Sequence, residues 1–175
     1  PNYEVFDEKR YFKPGNSAGI FEVNKTKIAL TVCEDIWHNH AIDQANKNGA
    51  DLILNINASP FHLQKISERK NLISKHASKY AIPIVYANQV GGQDELVFDG
   101  TSMVMDSKGE QVLQLEKFKE DRRTIVLLSE NESALFAAEK GIIPDENEIA
   151  DVYDALVLGA KDYILKNRFP GVLIG

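Results

Sequence analysis

Apolar and polar positions along this chain fall into two rhythms. Alternating or short unbroken apolar runs mark strands at 18–23 (AGIFEV), 27–33 (KIALTVC), 50–58 (ADLILNINA), 82–88 (IPIVYAN) and 123–129 (RTIVLLS). The NKTK between the first two reads as a hairpin turn. Residues 101–116 (TSMVMDSKGEQVLQLE) read as two more strands around Ser107-Lys108-Gly109-Glu110. Helical spacing fills the gaps. Residues 39–48 (NHAIDQANKN) end at Gly49, a natural helix stop. Residues 62–80 place Leu63, Ile66, Leu72, Ile73 and Ala77 near one face, and Pro83 forbids a continuation. NQVGGQDELVFDG (88–100) reads as a polar loop, either flexible or forming the rim of a site.

Strands that alternate with helices predict a layered α/β sandwich, and the closing hairpin predicts a mixed sheet. The character changes near 131. NESALFAAEKG reads as a short helix or linker, and the segment from 142 starts with Pro and acids as a helix should. Ile149, Val152, Tyr153, Leu156, Leu158, Tyr163 and Ile164 give that helix a broad apolar face. It ends near NRFPG, and GVLIG begins a strand. The expected division is 1–130, a linker over 131–147, and the entry to a second domain over 148–175. A first residue that is Pro rather than Met, and a strand that stops as it forms, predict a piece of a longer chain.

Composition narrows the function. Of the 175 residues, 43% are hydrophobic and 26% charged, with a net charge of -6 and no basic run that would grip phosphates. No nucleic-acid partner is expected. No apolar run approaches the roughly 20 residues of a membrane helix, and the start lacks the apolar centre of a signal peptide. A cytoplasmic enzyme with no membrane partner fits. The single cysteine, Cys33, excludes an internal disulfide. His38, His40, His62 and His76 lack the spacing of a metal site.

Cys33 sits in TVCEDIW at the carboxyl end of a buried run, where α/β sheets place their sites. A nucleophilic thiol needs an activating neighbour, and Glu34 and Asp35 oppose ionisation. The residues alone leave two readings, a small buried hydrophobe or a nucleophile. Ser59, ahead of Pro60, has the form of a helix N-cap. Lys65 and Arg69, four apart, share a helix face, which is either plain solvent surface or a carboxylate site.

Four stretches together, PNYEVFDEKRYFKPG, TVCEDIW, NASPFHLQKISERK and YANQVGGQDELVFDGTSMVMDSKG, resemble the nitrilase-superfamily glutamine amidase domain of the glutamine-dependent NAD+ synthetases over about residues 1–130. The tail YDALVLGAKDYILKNRFPGVLIG resembles the start of their ATP-dependent synthetase domain. The resemblance implies part of a nitrilase-like α-β-β-α sandwich, then the first helix and strand of a Rossmann-like domain. It implies that Cys33 attacks the side-chain amide of glutamine, that Glu8 is a supporting carboxylate, and that Tyr3, Glu34, Ser59 and Lys65 contact glutamine. The family's Glu–Lys–Cys triad has its Glu and Lys before the position matching Pro1, so this chain alone is expected to lack useful glutaminase activity. No cofactor is expected on it. ATP, Mg2+ and deamido-NAD+ belong to the synthetase part of a homo-oligomeric parent. The alternatives are another nitrilase-superfamily amidase or carbamoylase, and a non-catalytic nitrilase-like module.

Overall fold

The computed structural model describes residues 7–15, 19–130, 133–137, 147–173 and 175. The first apolar runs become β1 (Gly19–Val23) and β2 (Thr26–Val32), an antiparallel hairpin. Its turn residues Asn24 and Lys25 have φ of 50° and 68°, the left-handed pair that matches the twist of flanking strands. The chain then crosses over through α1 (Asn39–Lys47) to β3 (Leu52–Asn57), and through α2 (Lys65–Tyr80) to β4 (Ile84–Asn88). Both strands join parallel, as helical crossovers require. α1 is followed by Gly49 at φ 72°, the expected stop. A separate hairpin follows, β5 (Val90–Gln93) and β6 (Leu96–Asp99). Next, β7 (Met103–Met105) and β8 (Gln111–Gln114) return to the main sheet in antiparallel fashion. Its order is β1-β2-β3-β4-β7-β8.

The register explains where the core sits. Ala29 lies beside Ile53, Ile53 beside Ile84, and Ile84 beside Met105, so one level of one face is apolar across four strands. Against it pack Ile42 and Ala45 of α1 and Ile73 and Ala77 of α2. Each buried isoleucine contributes about 1.5–3 kcal/mol. Both crossover helices therefore cover the same face, and the parallel pairing sets the carboxyl ends of β2, β3 and β4 along one edge.

Several sequence expectations change. The polar stretch 88–100 is largely the β5–β6 hairpin, and it packs against α3 (Glu148–Lys166). Gly92 permits this: a Cβ there would come within 3.0 Å of the Gly159 backbone. The Gly92 N–H donates to the Asp162 carboxylate at 2.8 Å, and Lys166 Nζ donates to the Gly92 carbonyl. α3 begins with Asn147 accepting from the Ala150 N–H at 3.1 Å. Its broad apolar face is not the packed one: Ile149, Tyr153, Leu156 and Tyr163 are exposed, and Ala155 is buried. A close helix-to-hairpin approach selects small residues over large ones. Residues 133–137 form β10, paired with β9 (Val126–Glu130), where a helix or linker was expected. Hairpin pairing outweighs the weak helical preference of that Ala- and Glu-containing segment. Residues 170–173 are not a strand, and no neighbouring strand among the described residues pairs with them. Among the described residues no helix is long and apolar enough to cross a membrane.

Two outcomes follow from this packing. Ile84→Ala, at a position with 0% exposure, is expected to cost about 2–5 kcal/mol in urea unfolding. His76, buried on α2, has its pKa lowered from 6.5, mainly by burial. The unfolded chain then takes up the proton first, so stability is full above about pH 6.5 and falls as pH drops toward the lower folded value. His76→Leu should lose less stability than the parent between pH 7 and about pH 5. Identical slopes in the two proteins would reject this assignment.

Candidate active site

The parallel strands β2, β3 and β4 end side by side, and their carboxyl ends deliver Cys33, the segment Ala58–Ser59–Pro60, and Asn88 to one place. Cys33 opens a 3-10 turn, Cys33–Trp37, with φ of 47°. Left-handed backbone at a non-glycine residue costs about 1–3 kcal/mol and persists only where its surroundings enforce it. Here the Asp35 carboxylate accepts from the Val32 N–H at 2.9 Å, closing the turn back onto the strand, and Ile36 anchors it in the core at 0% exposure. The turn points the Cys33 side chain across the strand ends.

Cys33 is 8% exposed. Burial pushes its thiol pKa up, and the Glu34 carboxylate adds to this. Backbone hydrogen bonds from Ala58 and Glu34 to the sulfur pull the other way. The sulfur thus sits in a buried place where nearby backbone amides favour negative charge, an effect that helps to stabilise a nucleophile.

The loop supplying Ala58 is held from three sides. The Ser59 N–H donates to Asn88 Oδ1 at 2.9 Å, and Asn88 Nδ2 donates back to the Ser59 carbonyl at 3.3 Å. Arg69 Nη2 donates to the carbonyls of Ser59 and Pro60 at 2.8 and 2.9 Å. Arg69 Nη1 donates to both oxygens of Asp99, each at 2.8 Å. Both side chains are 0% exposed. Arg69 therefore does not share a solvent face with Lys65, because α2 turns it inward onto the end of β6. Nor is Ser59 a helix cap: α2 starts at Lys65, after Gln64 in the left-handed region. The Tyr86 hydroxyl is buried in the same cluster, near Ser59, Arg69, Asp99 and Cys33. Burial pushes it up to about 12, against the pull of the Arg69 charge. Neither the Tyr86 hydroxyl nor Ser59 Oγ has a hydrogen-bond partner of normal geometry among the described residues.

The remaining residues singled out in the sequence lie around this centre. Lys65 Nζ stands 4.1 Å from the centre of the Trp37 ring and pairs with Glu68 at 3.6 Å. Glu34 pairs with His38 at 3.6 Å. Glu8, in a 3-10 turn over Glu8–Arg10, lines a cavity of about 570 Å3 together with Glu34, Asp35 and His38. Tyr3 lies outside the described residues. The fold thus gathers Cys33, Glu34 and Ser59 at the strand ends, sets Lys65 on the tryptophan of the same turn, and joins Glu8 to Glu34 across a cavity. Sequence reasoning missed Asn88, Asp99, Tyr86 and the Ala58 amide. A fixed Arg-to-Asp partnership across 30 residues leaves no local spacing to find it by. Among the described residues no three His, Cys, Asp or Glu side chains gather as ligands for a metal ion.

Comparison with known proteins fits this geometry. The family model of the carbon-nitrogen hydrolases matches residues 1–131. The glutamine-dependent NAD(+) synthetase of Acinetobacter baylyi is 37% identical over 176 residues, covering 100% of this chain and 32% of that protein. The enzyme of the same name from Aquifex aeolicus is 36% identical, covering 100% of this chain and 36% of its own length. This chain thus spans about a third of the curated relatives it matches. Among solved structures, glutamine-dependent NAD+ synthetase from Acinetobacter baumannii, in complex with ADP, superposes with a TM-score of 0.91 at 40% identity, over 98% of this chain and 32% of that one. An amidase from Nesterenkonia sp. AN1, with the acetamide moiety of fluoroacetamide added covalently at its active site cysteine, gives 0.56 at 29% identity, over 63% of this chain and 42% of that one. With its nucleophile-like cysteine at a parallel strand end and three-quarters of its length matched, the chain belongs to the carbon-nitrogen hydrolase family.

Proposed function

We propose that this chain carries the nucleophile of a glutamine-hydrolysing module, whose ammonia serves an ATP-dependent amidation of deamido-NAD+ elsewhere in the same protein. The observation that carries the reading is Cys33: buried and held at φ 47° at the carboxyl end of β2, beside the ends of β3 and β4. The names of the relatives support glutamine as substrate, and the ADP complex supports nucleotide handling by the whole protein.

In this scheme Cys33 loses its proton to a base and its sulfur attacks the side-chain carbonyl carbon of glutamine. The new S–C bond places negative charge on the oxygen, toward which the backbone N–H of Glu34 serves as a donor. The C–N bond then breaks, the nitrogen takes up a proton and leaves as ammonia, and a thioester remains. Water attacks the thioester, the C–S bond breaks, and glutamate and the free thiol are released. Lys65 supplies a cation for the α-carboxylate of glutamine, with Tyr3 and Ser59 as further contacts, and Glu8 is the carboxylate that orients the base. Among the described residues no three His, Cys, Asp or Glu side chains gather as ligands for Mg2+, and in this scheme Mg2+ and ATP serve the amidating part of the whole protein. The same reading carries a cytoplasmic location and a homo-oligomeric whole protein.

The test uses the whole protein that contains this chain. Incubation with the glutamine-mimicking electrophile diazo-oxo-norleucine is expected to add mass to the peptide bearing Cys33, and glutamine in excess should block the addition. An unlabelled Cys33 peptide in a folded protein would sink the reading. Cys33→Ala should lower glutamine hydrolysis by at least about a thousandfold. Lys65→Ala should raise KM for glutamine by roughly 10- to 100-fold, the loss of one charge-assisted contact, with a smaller effect on kcat. On this chain by itself, where burial raises the Cys33 thiol above its ordinary range, alkylation by iodoacetamide should climb through a midpoint higher than that of free cysteine.

A further inference from the structure

The register that pairs Val32 with Ile56 sets Cys33 alongside the start of the loop after β3, which carries no regular secondary structure of its own and whose Ala58 amide lowers the Cys33 thiol pKa. Something must hold such a loop to within a fraction of an ångström if the amide is to stay on the sulfur. Immediately after Ala58, the carbonyls of Ser59 and Pro60 both accept from one nitrogen, Arg69 Nη2, at 2.8 and 2.9 Å. The guanidinium is planar, so fixing its other end fixes this one. Asp99 does so, taking Nη1 on both carboxylate oxygens with no exposure on either side chain. Asp99 is itself set by the backbone, since its carbonyl accepts from the Phe118 N–H at 2.8 Å.

We propose that Arg69 is a positioning residue for the chemistry at Cys33: it locks the Ser59–Pro60 backbone and thereby keeps the Ala58 N–H on the sulfur. The inference rests on Cys33 being the nucleophile but not on the nucleophile's substrate. A purely structural role predicts something different. A buried ion pair that only joined α2 to β6 would need no bonds to the loop, yet half of the guanidinium's terminal donors go there. The titratable groups facing the sulfur are Glu34 on its own turn and Tyr86 on β4.

The discriminating variant is Arg69→Lys in the whole protein. Lysine keeps the charge beside Asp99, Tyr86 and Cys33, but a single ammonium cannot span Asp99 and two carbonyls together. The readout is the pH midpoint of Cys33 alkylation by iodoacetamide, followed on the Cys33 peptide by mass spectrometry. Because the charge is conserved, a change in midpoint reports the lost amide rather than lost electrostatics. We expect the midpoint to rise by about one pH unit, the equivalent of one hydrogen bond to the thiolate. Glutamine turnover should fall by roughly a hundredfold through kcat. Ile73→Val, one turn further along the same buried face of α2, is the control: it should lower the melting temperature and leave the midpoint in place.

An R69K midpoint that moves no further than that of I73V would overturn the proposal. Should R69K fail to fold, Asp99→Glu carries the test. It keeps the charge but displaces the far end of the guanidinium, and the midpoint is again expected to rise. An unmoved midpoint in D99E overturns the proposal equally. If the parent protein turns over no glutamine but the R69K midpoint still rises, the positioning role stands and the substrate assignment falls.

Discussion

The buried pair Arg69–Asp99 is the interaction on which the site's geometry depends. Taking two opposite charges out of water costs several kcal/mol per ion, and their attraction recovers this only when every remaining donor finds a place. Here the spare terminal nitrogen finds two carbonyls, so the desolvated charge is tied to backbone as well as to its counter-ion, while the buried Nε finds no partner among the described residues. One side chain joins α2, the loop after β3 and the end of β6. Breaking such a pair by removing one member typically costs about 3–5 kcal/mol, because the survivor stays buried and unpaired. A pair of this kind contributes little net stability against a hydrophobic substitute, so geometric specification is the better account of its presence.

That geometry has a second source in the sheet. Three parallel neighbours must end on the same edge, and both crossover helices lie on one face, so the residues following β2, β3 and β4 converge whatever their identity. What sequence adds is the choice of what to place there. After β2 it is a cysteine in a left-handed turn closed by Asp35. After β3 it is a short loop that presents an amide. At the end of β4 it is Asn88, whose side-chain amide both donates to and accepts from Ser59. Each is a local solution, and together they surround one sulfur atom.

How much of this could be read from the chain follows from the range of each interaction. The strands β1 to β4, the helices α1 and α2 and the first hairpin turn were legible because their signals are local: periodicity, a left-handed turn pair, a glycine after a helix. The β5–β6 hairpin was read as a loop because its strands carry glycine and acids, which disfavour strands except where a helix must come close. That helix is α3, whose Gly159 lies 67 residues beyond Gly92. α3 misled for the complementary reason: its large apolar residues suggested the buried face, while its small ones make the contact. Helical spacing left Arg69 between a solvent face and a carboxylate site, since nothing within its helix announces a partner at position 99. Of the site, Cys33 was legible by motif. The supporting frame was not, because backbone amides and carbonyls are the same at every position and only the fold selects which ones matter.

The state of the thiol connects the frame to the chemistry. Burial favours the neutral form of Cys33 in this chain, and Glu34 favours it further. In the proposed role, a thiol stored in this way is protected from indiscriminate oxidation and alkylation, but it requires a base at the moment of attack. The two amides on the sulfur reduce the cost of that step without removing the need for it. Their effect depends on distance, and the distance to the Ala58 amide depends on a loop that the Arg69 fork holds. A rigid frame and a reluctant thiol are therefore parts of one design: the more burial raises the cost of charge on sulfur, the more closely the compensating donors must be placed.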